Sequence, residues 1–148
     1  MDAEPSSVQP VHTERSTAEP AITLESRREL GRQTREHLIG DGGARLGRIP
    51  EIAPEFASFL YESIFGHIYQ FPGLDEKTRQ LCTVAILAAL GRERQLHGHV
   101  QAALGLGITR ETLVALFGQV AAYAGAPAGI TGLHVLGELS TDTGPKTE

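Results

Sequence analysis

The fold is decided by the stretch Pro72-Gly73-Leu74-Asp75-Glu76-Lys77-Thr78-Arg79-Gln80, the run Leu81-Cys82-Thr83-Val84-Ala85-Ile86-Leu87-Ala88-Ala89-Leu90, and the closing Gly91-Arg92. Asp75 is placed to cap a helix at its start, and Gly91 punctuates its end. Between them the helix is apolar nearly all round. A helix of that kind needs cover from other helices or from another subunit, so it belongs at the centre of the fold. The run is also far shorter than the ~20 residues that a membrane span requires.

The flanking segments carry the same helical period. Ser26 with Glu29 reads as a capping box opening a helix to about Leu38, closed by Gly40-Asp41-Gly42-Gly43. Its Arg27, Arg28, Arg32 and Arg35 alternate with Glu25, Glu29 and Glu36, the pattern of a solvated face. A second helix begins near Pro54, with Phe56, Phe59, Leu60, Ile64 and Ile68 inward, and Phe71-Pro72-Gly73 stops it. After the central helix, Leu96, Val100, Ala103 and Leu104 line one side of a fourth, ended by Gly105 and Gly107. Thr109 caps a fifth, burying Leu113, Leu116, Phe117 and Val120, and Pro127 opens a sixth that runs through Leu139. The spacing predicts an all-α domain of about six helices over residues 23–139.

Residues 1–22 are rich in Pro, Ser, Thr and Glu, and their few large apolar residues cannot offset the entropy of ordering. They read as a disordered arm, and residues 140–148 as a flexible tail. Deleting residues 2–22 is therefore expected to leave melting temperature and oligomer size unchanged; a large loss in either shows that the arm packs. The arm lacks the basic-then-apolar order of a signal peptide. With a single cysteine, Cys82, no intramolecular disulfide can form, and its apolar helix predicts a packing role for it. The expected compartment is the cytoplasm. A net charge of −5 argues against a nucleic-acid partner, and no membrane partner is expected.

The residues that can carry chemistry lie around the apolar run. On a helix, Arg92, Gln95 and His99 fall within about 60° of one another, in a stripe bordering Leu96, Val100 and Ala103. His97 points about 160° away from His99, so the two are not expected to share a site. His67 lies over the inward side of the second helix. Spacing leaves two readings for His67 and His99: core-edge rings satisfied by a neighbour, or acid–base groups. His37 and His134 have weaker claims. No His-x-x-x-His or Glu-x-x-His pair occurs, so no metal is expected. The glycines at 40, 42 and 43 lack the Lys-Ser/Thr of a phosphate loop.

Pro72-Gly73-Leu74-Asp75-x-x-Thr78-Arg79, Ala88-Ala89-Leu90-Gly91-Arg92, His99-Val100-x-Ala102-Ala103, Gly107-Ile108-Thr109 and Tyr123-Ala124-Gly125-x-Pro127 together resemble the carboxymuconolactone decarboxylase family over about residues 28–139. The resemblance implies a helical protomer that assembles as a homotrimer or hexamer. The family's alkylhydroperoxidase branch carries a Glu, a Cys-x-x-Cys and a His; here those positions are Gln80, Arg92, Gln95 and His99, so the thiols are missing and that activity is excluded. The decarboxylase branch keeps the His without the cysteines, as this chain does. That branch also carries Gly-Glu-(Val/Ile)-Trp, an Arg before Pro-Gly-Leu, and a Glu four residues before the His. Here these are Gly66-His67-Ile68-Tyr69, Phe71 and Gln95.

The resemblance implies a lyase without a cofactor that decarboxylates a carbonyl- or lactone-containing small acid through an enolate. His99 would carry the proton, His67 would be a second acid–base group, and Arg92 or Arg79 would hold the anion. Gln95, Tyr69 and Phe71 join Arg79 as substrate-binding positions. Loss of the cationic position at Phe71 points to a more apolar or aromatic substrate, such as a specialised metabolite, than the lactone of aromatic catabolism. An enol-based isomerase, dehydratase or cyclase is the close alternative. A helical oligomer that binds an apolar ligand or a partner without catalysis is the alternative of another class.

Overall fold

The computed structural model describes residues 23–40 and 46–141, with side chains through residue 139. The predicted arm and residues 142–148 of the predicted tail lie outside the described residues. Helix α1 spans Leu24–Ile39, a short α2 Ile49–Ile52, and α3 Pro54–Phe59. A π-helical segment, Leu60–Phe65, continues α3, and a 3-10 turn covers Ile68–Gln70. Then come α4 Glu76–Ala89, α5 Glu93–Gly105, α6 Arg110–Ala124 and α7 Ala126–Thr141. Among the described residues there is no strand, and no helix is long and apolar enough to cross a membrane. The all-α expectation holds.

The core forms where α4 to α7 meet. Val84 and Ala88 of α4, Leu96, Val100 and Ala103 of α5, Leu113 and Phe117 of α6, and Val135 of α7 are all but closed to solvent. The ends of these helices follow local chemistry. Asp75 accepts the backbone N–H of Thr78 at 2.8 Å, and this bond, helped by the Thr78 hydroxyl, holds its carboxyl below the usual range. Thr109 caps α6 in the same way through the Thr112 N–H. Gly91 and Gly107 both adopt positive φ at helix ends.

The first half of the chain departs from expectation. The cap of α1 is Thr23, which accepts the Ser26 N–H at 3.1 Å, so the helix starts before the Ser26–Glu29 box. The face of α1 is not wholly solvated: Arg35 is buried, while Arg28 donates to Glu62 at 2.7 Å across to the π segment. The second helix does not run on to Phe71. It widens at Leu60 and ends at Phe65, which takes Ile68 off its face; Phe56, Phe59 and Ile68 are all exposed. Ala57 and Phe65 are the buried residues of this segment, and Leu60 and Ile64, expected inward, are half-buried. At the other end, α7 runs past Leu139 to Thr141.

Glycine permits the contact that holds α1 to the π segment. A Cβ on Gly31 would sit well inside van der Waals contact with the Tyr61 carbonyl oxygen, and one on Gly66 would meet the Arg27 carbonyl. Two backbones touch here with no side chain between them. The central helix α4 is less covered than its composition demands. Cys82, Ile86, Ala89 and Leu90 stay exposed on the protomer, with Ile86 57% and Leu90 62% accessible. The packing role expected of Cys82 is therefore not met within the protomer, because Cys82 lies on the exposed side of α4 with Ile86 and Ala89 while Val84 and Ala88 take the core side.

Candidate functional site

A groove of about 1130 Å³ opens between α1, the α3–π segment and the N-terminal half of α5. Its walls are largely aliphatic and aromatic, from Ile39, Leu60, Ile64, Phe65, Leu87 and Val135 among others. Its polar groups come from Arg35 of α1, Glu93, Arg94, Gln95, His97 and His99 of α5, and Glu138 of α7. An apolar cleft with a few convergent polar groups is the ordinary form of a small-molecule site, and this groove is somewhat larger than the usual ~300–1,000 Å³.

His99 reaches this wall because α5 turns Leu96 and Val100 into the core and leaves the residue just before Val100 half-buried at its margin. Behind it lies Gln80 of α4, only 1% exposed. One Gln80 nitrogen, Nε2, donates to the His99 carbonyl at 2.7 Å and lies 3.1 Å from His99 Nδ1. The other end of the amide, Oε1, is buried without a hydrogen-bond partner. Such an atom destabilises the fold by about 1–3 kcal/mol unless something compensates for it. Sequence reading placed Gln80 at a peroxidase position but gave it no role. Its signal was available: a polar residue on the buried side of a helix otherwise apolar nearly all round.

The expected site residues divide. His99, Gln95 and Tyr69 line the groove. His97 lines it too, contrary to the expected divergence from His99. The groove embraces most of the perimeter of α5 that the core does not use, and Gly98 between the two rings offers no side chain to divide it. Arg92 does not join the stripe. It is the N-cap of α5, with φ −88° and ψ 62°, so helical spacing does not apply to it, and it stands exposed outside the groove.

His67 is likewise off the inner side of any helix. The π segment ends two residues earlier, and the exposed ring packs edge-on against Phe71, 5.0 Å between centroids. Arg79 donates to the Phe71 carbonyl at 2.7 Å and lies over the Tyr69 ring at 5.7 Å. It lines a second, smaller cavity with Gln33, Thr34 and His37. Tyr69 borders both cavities and packs on Phe65. Arg35, Arg94, His97 and Glu138 are groove residues that the sequence reading missed. Among the described residues no group of three or more His, Cys, Asp or Glu side chains converges as a metal site would require.

The sequence model of the carboxymuconolactone decarboxylase family matches residues 54–138, which spans the α3–π wall, α4 with Gln80 and α5 with His99. The 4-carboxymuconolactone decarboxylase of Acinetobacter baylyi is 32% identical over 122 residues, covering 81% of this chain and 91% of that protein. This chain belongs to the carboxymuconolactone decarboxylase family.

Proposed function

We propose that the protein is a decarboxylating lyase whose reaction takes place in the α1–α3–α5 groove and passes through an enolate, with His99 as its acid–base residue. The observation that carries this reading is the position of His99: a family histidine on the wall of an apolar cleft, anchored from behind by a buried amide. When carbon dioxide leaves a carbon next to a carbonyl, the electron pair of the broken bond becomes an enolate. Hydrogen-bond donors aimed at that charge lower the barrier, and a low-dielectric wall strengthens them. His99 supplies such a donor and the proton chemistry. Among the described residues, Arg35 and Arg94 are the arginines that line the groove, and a substrate carboxylate would meet Arg94, the exposed one of the two.

The substrate we infer is a carbonyl- or lactone-containing acid more apolar or aromatic than 4-carboxymuconolactone, of the kind found among specialised metabolites. The groove's size and its aliphatic and aromatic walls support this. We also infer a cytoplasmic location, the compartment that a single cysteine suits. The test is carbon dioxide release from 4-carboxymuconolactone and from a series of bulkier β-keto and vinylogous acids. Turnover rising with apolar bulk supports the reading, and no turnover of any member counts against it. In that event the groove is a binding site only, a second reading favoured by the separation of His67 and Arg92 from His99.

Assembly as a homotrimer, or a hexamer built from it, belongs to the same proposal. The exposed Cys82, Ile86 and Leu90 of the central helix, with Val114, Tyr123, Ile130 and Leu133 on α6 and α7, are apolar side chains that an interface between protomers would cover. Light scattering at micromolar concentration is expected to give three or six times the protomer mass. A monomer contradicts it.

A further inference from the structure

We propose that Gln80 is a positioning residue that holds His99 as a neutral imidazole with its proton on Nε2. The inference rests on the reading that His99 does the acid–base work, and it concerns how the ring is held ready.

The argument starts from the backbone. The His99 carbonyl can only accept a hydrogen bond, so the Gln80 atom 2.7 Å from it must be the amide nitrogen and not the oxygen. That nitrogen carries two hydrogens. One is used on the carbonyl, and the second is available to Nδ1, 3.1 Å away. A proton on Nδ1 would set two hydrogens against each other, so Nδ1 presents its lone pair and the ring's proton sits on Nε2. An imidazolium, protonated on both nitrogens, loses this bond.

The price of the arrangement is Gln80 Oε1, buried and unpartnered. Rotating the amide by 180° would bring Oε1 against the His99 carbonyl oxygen, so the orphan atom cannot be relieved that way. A carboxylate at position 80 would work in the opposite sense, accepting a proton from Nδ1 and favouring the imidazolium. Glutamine at this place therefore selects the uncharged ring. Among the described residues, six other titratable side chains share the groove with His99: Arg35 from α1, Tyr69 from the 3-10 turn, Glu93, Arg94 and His97 from α5, and Glu138 from α7. The two arginines act with Gln80 against a second positive charge, and the two glutamates act against it.

The test is a pair of side-chain nitrogen NMR titrations on the full chain, unmodified and as Gln80→Met, with the His99 signals assigned by their absence in His99→Ala. The unmodified protein is expected to show Nε2–H as the neutral form. Gln80→Met, checked for folding by its melting curve, is expected to gain an Nδ1–H population and to raise the ring's titration midpoint by about 0.5–1 unit, the equivalent of one lost hydrogen bond. A protonated Nδ1 in the neutral unmodified ring overturns the proposal, and so does an unchanged tautomer ratio and midpoint in folded Gln80→Met. If Gln80→Met does not fold, the unmodified spectrum decides alone. Full turnover in His99→Ala would defeat the catalytic reading without altering either spectrum, so the two failures are distinct.

Discussion

His99→Ala is expected to lower turnover by about 10²–10⁴-fold, the ordinary contribution of a positioned acid–base group, while the protein stays folded. The fold should tolerate the change because the shorter of the two Gln80 contacts is to the His99 backbone carbonyl, which alanine retains. The Nδ1 contact is lost, worth about 0.5–1.5 kcal/mol. The measurement is turnover on the best acid of the series, with melting temperature recorded alongside. Near-normal activity in the folded variant sinks the assignment. His67→Ala serves as the companion. Its exposed place beside Phe71, outside the groove, predicts activity close to that of the unmodified protein. A loss equal to that of His99→Ala would mean that assembly carries His67 to a groove.

Gly31→Ala is expected to destabilise the protein by at least about 1–3 kcal/mol, the range for forcing a methyl group into a packed interior. The upper part of the range applies because the added Cβ meets the Tyr61 carbonyl and the backbone at Gly66, and backbone cannot swing aside as a long side chain can. The helix must shift bodily, and it carries the groove residues Arg35 and Ile39 with it. Substrate affinity is therefore expected to weaken together with stability. Gly118→Ala is the control of opposite sign. Nothing lies within 4 Å of a Cβ there, so α6 gains the intrinsic helix preference of alanine, about 0.5–1 kcal/mol. Thermal melting of the two variants against the unmodified protein checks both, and equal melting temperatures would refute the argument.

What could be read from the chain alone is what neighbouring residues settle among themselves. Asp75 and Thr109 each accept an N–H three residues on, and Gly91 and Gly107 take up a conformation that other residues rarely adopt, so these helix ends were legible. The apolar faces of α5 and α6 were legible too, because a 3.6-residue period marks one side of a regular helix wherever it packs. The site depended on longer reach. Gln80 meets His99 across 19 positions, and no local pattern announces an amide bonded to both a ring and its own carbonyl. Arg92 left its expected stripe because α5 begins one residue later, and a boundary is where periodic reasoning has no hold. The π segment displaced Ile68 and His67 because it does not keep the 3.6-residue period, and it packs against α1, which touches it through Gly31 and Gly66. Local hydrogen bonds and periodicity determined the helices. The groove, with Arg35, His97 and His99 on one wall system, came only from packing those helices together.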